Sequence, residues 1–253
     1  LIKFLPTGAN DGSFTSPTVA YGSQVRALSG GKVFYTASGG TITKPLVRLN
    51  ADGTIDSSFV LDPAITSIKN RWSLDPAGRP VFLAGVSTGV RLVRLLENGS
   101  IDPTFTPALG AAGTTNLVVT QPDGKSLIAG SFSALNGAAR AGFARVNADG
   151  SLDTSFDPGA GFNSVPRRLI VQPDNKIIGV GPFSTYNSTS VSRIVRLLPN
   201  GTIDTSFAPV ISGSSVDAID LQPDGRIIIG GGFSSVNGTS RTGIARLEAN
   251  GAL

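Results

Sequence analysis

No cysteine, histidine or methionine occurs in this chain, tryptophan occurs once, and glutamate only twice, at positions 97 and 248. Without cysteine there are no disulfides, and the redox compartment cannot be read. Without histidine and cysteine, a Ser-His-Asp or Cys-His nucleophile cannot be assembled within the chain. A zinc site ligated by those residues is equally excluded. The missing methionine reads as a processed or cropped piece of a longer protein. No run of about 18 apolar residues exists, so no membrane insertion is expected. The opening "LIKFLPTGAND" lacks the basic start and apolar core of a signal peptide. Charged residues make up only 15% of the chain and the net charge is +4. Lys and Arg are dispersed, with no basic stripe interleaved with aromatics, so no nucleic acid is expected as partner.

Glycine (32) and proline (16) are plentiful instead. Frequent turns and short strands fit that composition, and no capped helical periodicity is found. The dominant signal is a repeat. "RVNADGSLDTSF" from Arg145 has relatives in "KFLPTGANDGSF" from Lys3, "RLNADGTIDSSF" from Arg48, "RLLENGSIDPTF" from Arg94, "RLLPNGTIDTSF" from Arg196 and a shorter "RLEANGAL" from Arg246. Successive starts lie 45 to 51 residues apart, a period that means a propeller, solenoid or array. Between them sits a second motif: "LSGGKVF" from Leu28, "LDPAGRPVF" from Leu74, "QPDGK" from Gln121, "QPDNK" from Gln172 and "QPDGR" from Gln222.

Both motifs carry the same turn chemistry. "QPDG" and "LPNG" place Pro where φ near −65° starts a type I turn, and Gly where the chain turns left-handed. Such three-residue loops make tight hairpins with a glycine bulge. Two hairpins per repeat give four antiparallel strands. The expected fold is therefore all-β, a β-propeller of four-stranded antiparallel blades in about five repeats; a superhelical β-array is the alternative. One domain is expected over 1–253, with a partial blade end at 1–14 and repeats at 15–59, 60–105, 106–156, 157–207 and 208–253. Both ends supply the same hairpin strand, and only the start supplies the second. Either a five-bladed ring closes with one redundant strand, or the blades belong to a longer array; the second reading is preferred.

The strings at 145–156 and 121–125 resemble the bacterial delta-60 repeat, a predicted β-propeller family of unknown function, and the resemblance covers essentially the whole chain. It implies a setting in large secreted or surface-attached bacterial proteins and is nearly silent on activity.

The acidic turns invite a chemical reading. Laid on a twelve-residue calcium loop, "RLNADGTIDSSF" puts Arg48 and Phe59 where carboxylates are required, so the match fails. As a hairpin, the same string pairs Asn50 with Thr54, Leu49 with Ile55, and Arg48 with Asp56. The arithmetic repeats in Arg94–Asp102, Arg145–Asp153, Arg196–Asp204 and Lys3–Asp11. Opposite charges across strands fix register. Leu49 and Ile55 are expected in the core, the Ser or Thr after each Asp in an Asx-type turn, and each closing Phe between blades. "GKS" at 124–126 lacks the spacing of a phosphate loop. Of 15 Asp residues, 11 fall in the turn motifs. Asp217 and Asp220 lie on opposite faces of one strand, poor for paired carboxylate catalysis. Sialidase propellers separate Asp and Gly in their turn box, whereas here the two are adjacent. The chain is not expected to be an enzyme or to need a cofactor or metal.

Departures from the repeat are the better guide to function. Repeats three to five carry longer loops, "FSALNGAARAG" from Phe132, "FSTYNSTSVSR" from Phe183 and "FSSVNGTSRTG" from Phe233, where repeats one and two have "SGGTITK" and "STGV". Asn136, Asn187 and Asn237, followed by Arg140, Arg193 and Arg241, with Tyr186, offer hydrogen bonds to glycan hydroxyls or carboxylates. The plainer alternative is that Asn-Gly makes a turn and Arg caps carbonyls. Trp72 either fills core or stacks a sugar. The leading expectation is a non-enzymatic extracellular module for structure, adhesion or protein interaction, with other protein chains or surface glycans as partners. A lectin-like propeller and a carboxylate-dependent glycan-degrading enzyme stand as alternatives.

Overall fold

Short apolar runs bounded by Pro-Asp-Gly and Asn-Gly turns fold into small antiparallel sheets. The computed structural model describes residues 1–17, 19–40, 44–69, 71–109 and 113–253. The chain forms two compact units, Leu1–Phe105 and Thr106–Leu253, and the boundary falls between two repeats. In the first unit, Val19–Ala27, Val33–Gly40 and Leu46–Leu49 form one sheet in that order. Pro80–Val86 is the middle of the other, flanked by Gly89–Arg94 on one side and by Ser67–Ile68 and Ser73–Leu74 on the other. In the second unit the middle strands are Ser126–Ser131, Ile177–Val180 and Ile227–Val236. Their third strands are Phe143–Val146, Ile194–Leu197 and Ile244–Leu247.

The middle strands are apolar on both faces because both faces are covered. Ile177, Ile178 and Val180 are fully buried. Three hydrophobic clusters each join two successive repeats. One runs from Phe34 and Leu46 to Phe82 and Leu95, a second from Leu117 and Phe143 to Ile177 and Leu197, a third from Ile178 and Ile194 to Ile227 and Leu247. Phe59, Phe156 and Phe207 sit inside these clusters, one at each junction.

The hairpin after each third strand has the register set by its turn. Asn50 N–H donates to Thr54 O, Gly53 N–H to Asn50 O, and Asp56 N–H to Arg48 O. The fourth strand is short, reduced to one bridge per repeat: Leu49 with Ile55, Leu95 with Ile101, Val146 with Leu152, and Leu197 with Ile203. The Asp that follows accepts from the Ser or Thr two residues on and curls the chain out of extended geometry. Leu49 is buried as expected, but Ile55 is 53% exposed because the strand ends before anything covers it.

The glycine of this turn is required twice over. Gly53 has φ of 90°, and a Cβ there would stand 2.7 Å from the carbonyl oxygen of Thr15, in the segment that crosses from the preceding repeat. At Gly201 the corresponding atom is the Asp157 carbonyl oxygen, at 3.0 Å. The crossing segment is itself fastened to the turn, Thr15 N–H to Asp52 O and Asp157 N–H to Asn200 O. In the other motif the nearest neighbours are side chains and not main chain, at 3.0 Å for Gly31 and Gly78 and further off at Gly124 and Gly225. A Cβ at Gly124 would meet only the Ala148 methyl, at 3.5 Å. Asn175 replaces glycine there in repeat four, at φ of 63°.

Candidate functional site

Two polar constructions recur: an ionic turn and an asparagine hairpin. In the ionic turn, Arg145 Nε lies 2.7 Å and Lys125 Nζ 2.9 Å from Asp153 Oδ2. Ser155 N–H and hydroxyl both donate to Asp153 Oδ1. Arg145 Nη1 donates to Pro199 O of the next repeat, and its guanidinium lies 4.8 Å from the Phe156 ring centroid. The same set recurs as Arg48, Lys32, Asp56, Ser58 and Phe59, and as Arg196, Lys176, Asp204, Ser206 and Phe207. In repeat two Arg94 and Arg79 share Asp102, with Thr104 and Phe105. Lys3 reaches Asp11 at 2.9 Å.

These carboxylates are held ionised. The hydrogen bond from Lys32, then those from Ser58 and Arg48, keep Asp56 well below the usual carboxylate range. Burial alone would raise Asp102, but Thr104 and Arg94 outweigh it and bring it down to about 2. Asp153 and Asp204 are likewise lowered against the effect of burial, through Lys125, Ser155 and Arg145 in one case and Ser206, Lys176 and Arg196 in the other. Each carboxylate therefore has its acceptor positions filled by its own chain. Among the described residues no three acidic side chains group as a metal site would need. A cavity of about 560 Å³ in the first unit is lined by Lys32, Arg48, Asp75, Arg79 and Glu97. Its cations are already paired with Asp56, Asp75 and Asp102.

The three longer loops are hairpins on Asn-Gly or Asn-Ser turns. Ala134–Leu135 pairs with Ala138–Ala139, Thr185–Tyr186 with Thr189–Ser190, and Ser235 and Val236 with Thr239–Ser240. Positive φ at Asn136 and Gly137, Asn187 and Ser188, and Asn237 and Gly238 makes each a type I′ turn. Each hairpin takes the incoming segment as a further strand, through Leu109–Leu135, Phe162–Tyr186 and Ile211–Val236. The asparagines clamp that junction. Asn136 Oδ1 accepts from Ala108 N–H at 2.6 Å and its Nδ2 donates to Gly150 O at 3.0 Å. Asn237 does the same with Val210 and Gly251. Asn187 accepts from Ala160 N–H, while the carbonyl of Gly201 is met by the Tyr186 hydroxyl at 2.7 Å. Tyr186 is 1% exposed, and burial pushes its hydroxyl pKa up. It stands in the core, not on the loop surface.

The arginines are not equivalent. Val191, not Arg193, matches Arg140 and Arg241, since the three donate their N–H to Ser184, Ser133 and Ser234. Arg193 stands where the other repeats have Gly142 and Gly243, and it adopts φ of 63° there. Arg140 is half-buried and Arg241 exposed. Trp72 is 1% exposed in the first unit's core, edge-on to Phe34, with the Arg26 guanidinium 5.5 Å from its ring centroid. The "SGGTITK" loop lies partly outside the described residues, and "STGV" is the tip joining Pro80–Val86 to Gly89–Arg94.

The model of the beta-propeller domain of unknown function, DUF5122, matches residues 33–59, 81–105, 121–156, 172–207 and 222–253. This chain belongs to the DUF5122 beta-propeller family. Four of those five matches end on the phenylalanine that stacks under the arginine, so the DUF5122 unit runs from the second-motif turn or the middle strand after it to the end of an ionic turn. No curated protein matches the sequence. Among solved structures, a protein of unknown function from Bacteroides caccae is similar over 90% of this chain and 78% of its own, with 12% identity and a TM-score of 0.52. A puromycin hydrolase matches at 18% identity and a TM-score of 0.49, over 91% of this chain and 38% of its own length. YCF48 bound to D1 peptide matches at 14% identity and a TM-score of 0.40, over 93% and 72%. At these identities the likeness to the Bacteroides protein concerns the fold alone.

Proposed function

We propose that this propeller is a non-catalytic module of a secreted or surface-attached bacterial protein, acting in structure, adhesion or protein interaction, as the resemblance to delta-60 repeats suggests. The observation that carries the reading is the commitment of its polar side chains. In four repeats the acidic turn spends its carboxylate on two cations and a hydroxyl, and the hairpin asparagines are spent on main chain. Asp62 and Asp157, outside the motifs, accept from backbone N–H groups as well. What faces outward is a series of similar hairpins, a surface suited to repeated shallow contact. A solid-phase assay against purified bacterial surface proteins and extracellular matrix proteins tests it. Saturable binding is expected, weakened by bulky substitutions at the exposed tips Gly137, Ser188 and Gly238. Turnover of a polysaccharide that vanishes on replacing one of Asp62, Asp157, Asp217 or Asp220 would overturn the non-catalytic reading.

A lectin-like role is the second reading, favoured by one feature. Arg241 and Thr239 line a trough of about 780 Å³ beside Arg246 and Glu248, a donor set that suits an acidic sugar. A glycan array decides it: uronate binding lost in Arg241→Ala at unchanged melting temperature supports a lectin, and an empty array rejects it.

A further inference from the structure

Asn-Gly occurs five times in the chain, at Asn98, Asn136, Asn200, Asn237 and Asn250. In this dipeptide the glycine nitrogen can attack the side-chain amide before it, because glycine has no side chain to block the approach and leaves the backbone free to swing. The fold puts the five in two settings. Three close ionic turns. There Gly99, Gly201 and Gly251 are buried, and their N–H groups donate to Leu96 O, Leu198 O and Glu248 O at 3.0, 2.9 and 2.9 Å. The nucleophile is the glycine nitrogen once its proton has left, so an N–H tied to a carbonyl is held in the unreactive form. Main chain also stands over two of these turns: a Cβ at Gly99 or Gly201 would meet the carbonyl oxygen of Val60 or Asp157.

The other two tip the outward hairpins. Asn136, Gly137, Asn237 and Gly238 are exposed. Among the described residues the N–H groups of Gly137 and Gly238 have no acceptor, and a Cβ at either glycine would meet nothing within 4 Å. The amide under attack is also prepared. Ala108 N–H lies 2.6 Å from Asn136 Oδ1 and Val210 N–H 2.8 Å from Asn237 Oδ1, each at the oxygen where charge gathers as the nitrogen adds. Asn98 and Asn200 have such donors too, in Ser100 and Thr202, so the glycine N–H and the space around it are what separate the two settings.

We propose that Asn136 and Asn237 are sites of self-modification: the deprotonated nitrogen of Gly137 or Gly238 bonds to Cγ of the asparagine before it, Nδ2 leaves as ammonia, and water opens the cyclic imide to aspartate or isoaspartate. Each event replaces the donor that held Gly150 O or Gly251 O by an acceptor, and takes one unit from the net charge of +4. Isoaspartate also lengthens the main chain by one carbon, which a two-residue type I′ loop has no slack to absorb, so the hairpin parts from the incoming segment. In the hairpin between them Asn187 is followed by Ser188, whose side chain shields the nitrogen, and that hairpin keeps its clamp. The outward series therefore has two timed members and one lasting one. The modification goes beyond the interaction reading and holds whatever the hairpins bind.

Peptide-mapping mass spectrometry tests it, on the folded chain aged in mildly alkaline buffer and on a second sample aged in urea. In the folded sample amide-to-acid conversion is expected at Asn136 and Asn237 at least about tenfold faster than at Asn98 and Asn200, the factor that one retained backbone hydrogen bond sets. In urea the sites should converge, since each is followed by glycine. Isoaspartate is expected among the products, because direct hydrolysis of the amide gives aspartate only. Gly137→Ser, which copies the Asn187–Ser188 tip, should slow Asn136 and leave Asn237 unchanged as the internal control. If that variant is misfolded, the contrast between sites in the unaltered chain decides alone. Hairpin asparagines that react no faster than those of the ionic turns, a product that is aspartate alone, or a folded Gly137→Ser chain that reacts at the original rate would overturn the proposal.

Discussion

The ionic turn at Asp153 and the hairpin at Asn136 stand in one repeat, and both look like chemistry in the sequence. Their physics differs. Asp153 is buried, and its partners are side chains that carry charge. Asn136 is exposed, and its partners are backbone groups of Ala108 and Gly150. In the first case a broken bond strands a buried charge; in the second, water can replace much of what is lost. Polar residues at regular spacing therefore mark two grades of scaffold, one costly to disturb and one cheap.

Acid should separate the two most strongly, because it reaches four ionic turns at once and no asparagine. The folded carboxylates titrate lower than those of the unfolded chain, near 4. Between those values the unfolded chain binds protons that the folded chain does not, so stability is full above about pH 5 and falls as pH drops through 4 towards 2. Urea midpoints measured against pH should show this decline; a flat profile from pH 5 to 2.5 contradicts the ionic turn as a stabilising element. Next in size, Asp153→Asn should cost about 3 kcal/mol in chemical denaturation by leaving Arg145 buried beside no anion. The double variant Arg145→Met, Asp153→Leu should cost less than Asp153→Asn alone, which a double-mutant cycle would register.

The hairpin should respond more gently. Asn136→Ala is expected to lose about 1–2 kcal/mol, from two side-chain hydrogen bonds and a left-handed φ of 49°. Asn136→Gly should lose less, since glycine takes that φ freely. Equal losses in calorimetry would mean the strain matters little. Smaller still, Arg193→Gly should raise stability by up to about 1 kcal/mol, because the two sister hairpins have glycine at that left-handed position. Arg140→Ala should stay within about 0.5 kcal/mol of wild type.

What could be read from sequence follows the same division. Turn chemistry is local, so Pro-Asp-Gly and Asn-Ala-Asp-Gly set the hairpin register down to the Asn50–Thr54 and Arg48–Asp56 pairs. The second cation on each Asp needs two hairpins to meet. Its signal was present, a Lys or Arg after every second-motif turn at Lys32, Arg79, Lys125, Lys176 and Arg226, but spacing alone did not connect it to Asp56 or Asp153. The stacking of arginine on phenylalanine was hidden for the same reason. The asparagine clamp had no legible partner, because a backbone N–H is carried by nearly every residue. Residue type pairs Arg193 with Arg140, but its distance from Asn187 is that from Asn136 to Gly142, and the backbone follows the distance. The exposure of Ile55 follows from the early curl at Asp56, which alternation along the chain does not report.

The glycine that ends each acidic turn carries a last consequence. At Gly53, Gly99, Gly150 and Gly201 it touches the main chain of the segment arriving from the preceding repeat, and that segment answers with an N–H to a carbonyl of the turn. This part of the seam is made of peptide groups on one side and a missing side chain on the other, so it adds no side-chain pair to those already packed across the joint by the hydrophobic clusters. A unit copied in tandem brings both halves of its own joint. The length of such a chain can therefore change by whole units in one genetic event, while the sequences of the outward hairpins drift independently.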